Sequence, residues 1–481
     1  MNKFVKNPAI ILIFIALLSF IIFFPSLNTF YTHDDFFLLR LSNAHSVGDF
    51  IGFFNLTKAP EGLGMYRPLA MQSFYLIARA FDLNPLSLHV VSFITFFGVI
   101  CLVYKVTDKL TENKSISQLA AFFYAVSSSH FSHLYFLGVY QETAVTLFVL
   151  LSVLFFIKYL EGSIWDYVPS LVFFILAMLS KETALVTPVL FILVYFYQKM
   201  LGYKIDFKKF IKALLPIVIL LAGYIYMRFN FFGFPEGDSY LIDVSPRIAN
   251  TLFWYGLWAF NLPEMLVDFI GPGLRINLAP LLTWKVYILT SLISFAVILL
   301  SAGISKLMIL NKDKRIVIHV LFGLLWFVIT LAPVVIYPWH KFSYYLTLPL
   351  FGIAFALGYL CILSKSKLII GLIVLFWMIG SVSNLILFQK THWIIKGSQI
   401  SENAYNYFRV INLSGKSIVF YDTLEDADSP WIPSQTLKNT LSDEDFFEVY
   451  FSEIKSVDYQ VGEEKLENYD IKIRALDLVN I

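Results

Sequence analysis

Charge is scarce in this sequence and cysteine nearly absent. Only 15% of the 481 residues are Asp, Glu, Lys or Arg, and the formal net charge is +2. Without a basic excess there is no electrostatic footprint for nucleic acid, and no nucleic-acid partner is expected. The two cysteines, Cys101 and Cys361, both fall inside hydrophobic runs, which excludes a disulfide framework. The chain lacks a Gly-rich phosphate loop ending in Lys-Ser or Lys-Thr, so a built-in ATPase is not expected. It also lacks Cys/His clusters with zinc spacing, internal repeats and low-complexity tracts.

What the chain has in excess is apolar side chain. Hydrophobic residues make up 58%, with 49 Phe and 27 Tyr. A water-soluble core hides only part of such a load, so this composition belongs in a bilayer. A hydrocarbon core of about 30 Å takes roughly 20 apolar residues of helix. On that ruler spans fall near 8–26, 88–107, 116–132, 141–159, 165–180, 182–199, 211–229, 283–304, 316–336, 343–363 and 367–388. The first run follows Lys3 and Lys6 as in a signal peptide. No small-residue cleavage site follows it, so it reads as a retained span.

Basic residues set the orientation, because they collect in cytoplasmic loops. Lys3 and Lys6 precede the first span. Lys105, Lys109 and Lys114, then Lys158, then Lys199, Lys204, Lys208, Lys209 and Lys212 follow later ones. Lys306, Lys312, Lys314 and Arg315, then Lys365 and Lys367, complete the pattern. All share one side if 247–270 does not cross. Asn261, Pro263, Glu264 and Asp268 interrupt that stretch, and it reads as re-entrant or interfacial on the outer face. The N-terminus is then cytoplasmic and everything after His392 lies outside. Between 68 and 82 the apolar residues recur with helical spacing, which predicts a short helix in the outer interface.

From 391 onward the character changes, with sixteen acidic against eight basic residues. Ser401 is placed to cap a helix through Leu413. Strand-like runs follow at 417–421, 446–451 and 471–475. The expected fold is therefore an all-α polytopic membrane protein of about eleven transmembrane helices plus a re-entrant or interfacial segment. The transmembrane domain covers 1–390, and a small acidic C-terminal α/β extracytoplasmic domain covers 391–481.

Chemistry concentrates on the outer side, first in the loop 30–68 with its Asp49 and Lys58. Asp34 and Asp35 there can supply a general base or hold a divalent cation. They also suit a helix N-terminus capped by Thr32. Arg67, in Tyr66-Arg67-Pro68, fits a phosphate bidentately or snorkels as an anchor. Lys181 and Glu182, between spans with almost no loop, line a substrate path or neutralise each other. His130 and His133 are spaced for a metal or for water, with Gln141 and Glu142 close behind. His89 opens a span. His340 and Lys341 add positive groups ahead of Tyr344 and Tyr345. The many Phe and Trp read as lipid- or core-facing.

The order of these motifs resembles the GT-C superfamily of polyprenyl-phosphate-sugar-dependent glycosyltransferases, in particular the protein O-mannosyltransferase branch and its tetratricopeptide-bearing transmembrane relatives. The resemblance runs through D-D-F-F-L-L-R-L-S-N, M-Y-R-P-L-A-M-Q-S-F, L-N-P-L-S-L-H-V-V-S-F, H-F-S-H-L-Y-F-L-G-V-Y-Q-E, L-S-K-E-T-A-L-V-T-P and F-S-Y-Y-L-T-L-P, roughly residues 30 to 350. Ser343-Tyr344 stands where that family often has Arg-Tyr, so the basic contact would be supplied by Lys341 or lost. Tetratricopeptide repeats and an MIR module are absent.

The resemblance implies an enzyme transferring mannose, or another hexose or pentose, from a polyprenyl-phosphate donor to a protein, lipid or glycan hydroxyl, with inversion. Asp34 or Asp35 would be the base. Arg67, Lys181 and Lys341 would hold the donor phosphate. Tyr66, His133, Glu142, Glu182 and His340 would line the pocket. The wider family includes metal-free and divalent-ion designs, so Mg or Mn would bind, if used, through Asp34 and His133. The rivals are a lipid-linked glycan ligase or polymerase, a flippase and a catalytically dead scaffold. A flippase would want internal symmetry, and none is present.

Overall fold

A computed structural model of the chain describes residues 8–57, 64–162, 164–234, 237–271, 275–309, 315–363, 365–427, 431–463 and 466–479. Lys3, Lys6, Lys58, Lys312 and Lys314 of the sequence reading lie outside them. The described chain is mostly helical, with a small parallel sheet near its C-terminus.

Among the described residues, eight helical segments are long and apolar enough to cross a membrane: Pro8–Asn28, Pro85–Thr111, Leu137–Glu161, Glu182–Met200, Phe207–Phe232, Lys285–Ser305, Arg315–Val335 and Lys367–Thr391. Their outward faces are greasy, with Phe196, Leu215, Ile219 and Leu300 all more than half exposed. This is a multi-pass membrane protein. Of the eleven expected spans eight reach that length, and the other three are shorter helices. Ile164–Ser180 and Leu350–Ile362 are two of them.

The third, Lys114–Ala125, has 12 residues, only about 18 Å of helix. The chain breaks there at Ser127 and Ser128, whose hydroxyls donate to Asn261 Oδ1 at 2.8 and 3.1 Å, as does the Ser128 N–H at 2.8 Å. Serine competes for backbone hydrogen bonds, and a buried acceptor completes the break. The ambiguous stretch holds a 13-residue helix, Arg247–Ala259, too short to cross. Asn261, at φ 63°, turns the chain after it.

The helix predicted within 68–82 forms as Gln72–Arg79. It is roofed over by protein, its Phe74 and Tyr75 being fully buried. The last span ends at Thr391, and His392 begins a new helix, Trp393–Phe408. The His392 ring accepts from the Ile394 N–H at 3.3 Å as the N-cap, so Ser401 is mid-helix and not the expected cap.

The sheet has Ser417–Asp422 at its centre, flanked in parallel by Ser456–Val461 and Ile471–Arg474. The expected strand at 446–451 is instead the helix Asp445–Tyr450. Its β-prone composition misleads, because helical i, i+4 spacing lets Phe446 and Tyr450 cover one surface, against Phe36 and Phe30. The strand at 456–461 was not expected.

One apolar cluster joins this C-terminal unit to the first loop. Tyr31, Phe36, Leu39, Phe74 and Tyr75 are buried in the same core as Phe408, Phe420, Phe446 and Phe447. The first part of the acidic loop is thereby clamped between the helical bundle and the α/β unit.

Candidate functional site

A cavity of about 770 Å³ opens between the acidic loop, the bundle and the C-terminal unit. Its walls come from one end of the spans. Of the candidate residues Asp34, Arg67, Lys181, Glu182 and His340 line it, and Arg228, Tyr240, Trp393 and Ser442 join them. Asp35, Tyr66, His133, Glu142 and Lys341 are not among its lining residues.

The structure separates the two aspartates. The helix Asp34–Leu41 starts after His33, whose backbone sits at φ 52°, ψ −128°. Asp35 is turned into the protein and is 1% exposed. Its carboxylate accepts from the Thr32 N–H at 2.8 Å and from the Tyr75 hydroxyl at 2.5 Å. Burial pushes it up to about 7, against the pull of Tyr75 and Thr32. Asp35 thereby staples the loop to the helix that carries Tyr75.

Asp34 faces the cavity. Among the described residues its carboxylate has neither ion pair nor side-chain hydrogen bond. It is exposed to the cavity yet walled in by protein around it. That enclosure, and then Asp445 of the C-terminal unit, raise its carboxyl above the usual range.

The expected phosphate-binding cations are already engaged. Arg67 donates through Nε to Glu182 Oε2 at 2.8 Å and through Nη2 to Oε1, a bidentate pair. Lys181 lies in extended backbone between two helices, and its ammonium donates to Glu142 while resting 4.8 Å from the Tyr345 ring centroid. Lys181 and Glu182 therefore do not neutralise each other. Each is paired with a residue distant in sequence. Such pairs are costly to break, because the survivor is left as a buried charge.

Tyr66 is core, stacked on Phe232 at 4.3 Å with its hydroxyl donating to Phe54 O at 3.0 Å. His130 and His133 form a closed relay. Thr143 Oγ1 is 3.0 Å from His133 Nδ1, His133 Nε2 is 2.8 Å from His130 Nδ1, and His130 Nε2 is 2.7 Å from Tyr124 O. A carbonyl only accepts, so His130 carries its proton on Nε2 and His133 donates to it. Both nitrogens of His133 are occupied, so it does not join Asp34 as a metal ligand. Among the described residues no three His, Cys, Asp or Glu side chains gather where a metal ion could be held. His89 is likewise held by Thr29 and Leu134.

His340 sits 4.4 Å from the Tyr240 ring centroid, and burial, then Lys181 and Arg67, lower it to about 4. It is neutral near pH 7. Lys341 interacts with Asp268 and is lowered by partial burial.

Arg228 was missed by the sequence reading. It opens a π-helical turn, Arg228–Phe232, at the end of a span, a distortion that often accompanies functional sites. Its side chain is buried, its cation lies 5.1 Å over Phe234, and Nη1 has no hydrogen-bond partner. No carboxylate pairs with it among the described residues. The signal was available, since an Arg at the end of a span away from the basic loops runs against the charge pattern.

No family model matches the chain, and no curated protein is similar to it in sequence. Among solved structures, the Archaeoglobus fulgidus oligosaccharyltransferase is similar in its complex with zinc and sulfate, at TM-score 0.48 and 14% identity over 90% of this chain. Its apo form gives 0.49 and 12% over 94%. The mycobacterial arabinofuranosyltransferase AftD gives 0.42 and 15% over 85%. The alignments span 61%, 64% and 29% of those chains, so this chain covers less than two thirds of each.

Proposed function

We propose that this protein transfers a sugar from a polyprenyl-phosphate donor to an acceptor hydroxyl, with Asp34 as the general base. The observation that carries this reading is the charge balance of the cavity. Arg67 is matched by Glu182 and Lys181 by Glu142, and His340 is neutral. One carboxylate, Asp34, and one guanidinium, Arg228, remain without counterions among the described residues. A base and an anion holder are what this transfer requires.

The acceptor O–H proton passes to Asp34 as its oxygen bonds to the anomeric carbon. The bond from that carbon to the phosphate oxygen breaks, and the polyprenyl phosphate leaves as an anion. Arg228, with the outer edges of the Arg67 and Lys181 pairs, stabilises the charge that develops there. Attack opposite the leaving phosphate inverts the anomeric centre. The apolar wall that includes Phe229 and Phe234 suits the lipid end of the donor. Lys109, Lys158 and Lys199 fall at the far ends of the spans, which favours an extracytoplasmic cavity.

The test uses purified protein in lipid nanodiscs with labelled polyprenyl-monophosphate sugars, scored for transfer and release. Asp34→Asn is expected to reduce turnover by about 10²–10⁴-fold with donor affinity kept. Arg228→Gln is expected to raise the donor KM. Asp34→Asn at the wild-type rate would remove Asp34 from the role of base. Turnover only with a lipid-diphosphate glycan would replace this donor class.

A further inference from the structure

The split between Asp34 and Asp35 depends on elements some 360 residues later in the chain. The helix Trp393–Phe408 lies directly against the turn that precedes Asp34. The Phe30 N–H donates to Ser398 Oγ at 2.7 Å, and the His33 N–H donates to Thr440 O at 2.7 Å. The His33 ring packs edge-on to Trp393 at 4.8 Å, and its Nδ1 is 2.8 Å from Thr32 Oγ1. Arg40, at the other end of the acidic helix, pairs with Asp445 at 2.5 Å and Glu448 at 3.3 Å.

Gly397 is the point of closest approach. A Cβ there would lie 2.4 Å from Thr32 Oγ1 and 2.8 Å from His33 Cε1. The turn it touches is the one at φ 52°, ψ −128°, a conformation that costs a non-glycine residue energy and persists only when its surroundings hold it. The contacts from Ser398, Thr440 and Trp393 are those surroundings. If His33 relaxed to negative φ, the first turn of the helix would rotate, and the alternation that sends Asp35 inward and Asp34 outward would go with it.

We propose that the C-terminal unit is a working part of the site: Gly397 is a positioning residue whose missing side chain lets the Trp393–Phe408 helix hold His33 in its left-handed turn, so that Asp34 faces the cavity and Asp35 the core. Ser442, in the turn that pairs with Arg40 through Asp445, completes the cavity wall beside Asp34. The unit is thus placed to steer the acceptor as well as the base. This rests on the reading of Asp34 as base, but its geometry is tested without turnover.

The experiment uses the full chain in nanodiscs, with Cys101 replaced by Ala. Asp34→Cys and Asp35→Cys are each labelled with a small cationic thiosulfonate, with Gly397 intact and as Gly397→Ala. The thiol at 34 is expected to react at least tenfold faster than that at 35, and Gly397→Ala is expected to collapse that ratio. His33→Val, which disfavours positive φ and leaves the sequence of the C-terminal helix unchanged, is expected to do the same if Gly397→Ala yields no folded protein. In the enzyme, Gly397→Ala should lower kcat at least tenfold with donor KM unchanged, because Arg228 is not disturbed. A folded Gly397→Ala or His33→Val protein with the wild-type labelling ratio overturns the proposal. A wild-type chain that transfers no sugar but keeps the labelling pattern overturns the glycosyltransferase reading alone.

Discussion

Adjacent aspartates in one turn acquire opposite environments here, and the difference is one of donors. Asp35 meets the Thr32 N–H and the Tyr75 hydroxyl, while Asp34 meets the open cavity. Sequence alone left the pair open between base and helix-terminal brace. The structure divides their environments, with Asp35 tied to Thr32 and Tyr75 and Asp34 facing the cavity. Burial has a consequence for Asp35 that titration will read. Its folded carboxyl is raised from 3.8 to about 7, so between those values the folded protein binds more protons than the unfolded chain. Stability contributed by this group therefore falls as pH rises through that window, by a few kcal/mol at most. Asp35→Asn is expected to flatten that slope, measured as unfolding temperature in detergent at pH 5 and pH 8. Arg228 belongs at the same scale. It was read as the terminus of a span, because hydropathy locates where a helix ends and not what its last turn faces.

At the scale of elements, length decided more than composition. The 116–132 run is apolar enough for a span, but Asn261 captures its serines and the helix ends at Ala125. Elsewhere small residues let helices touch. Gly323 of Arg315–Val335 and Gly352 of Leu350–Leu363 face each other so closely that a Cβ on Gly352 would lie 2.2 Å from Gly323 O, and one on Gly323 2.4 Å from Gly352 O. Small-residue contacts of this kind replace the hydrophobic effect as the driving force between helices in lipid. Gly352→Ala is expected to destabilise the folded protein by about 1–3 kcal/mol, read as a lower unfolding temperature in detergent.

At the scale of the whole molecule, the acidic loop and the C-terminal unit share one core across nearly the full length of the chain. Phe36 from the loop meets Phe446 edge-on at 5.1 Å, and Phe408 meets Phe447 at 5.2 Å. Phe446→Ala is expected to cost about 3–5 kcal/mol and to loosen the loop as well as the sheet. Unfolding followed by probes in each part, for example proteolysis at the loop and at the sheet, should therefore move together. Separate transitions would show that the shared core does not couple them.

Composition by itself determined the membrane class, most of the spans, the turn from apolar to acidic character near residue 391 and the loop that carries Asp34. These are properties of residue type and of short-range period, which a run of letters displays directly. Only the tertiary structure decided that Arg67 belongs to Glu182 and Lys181 to Glu142, that His133 is closed within a relay, and that Arg228 has no carboxylate partner among the described residues. It also decided that Gly397 presses on Thr32. Charges and close approaches of this kind depend on partners tens to hundreds of residues away. In a low-dielectric interior it is the partner, and not the residue type, that sets whether an ionisable group braces the fold or faces a substrate.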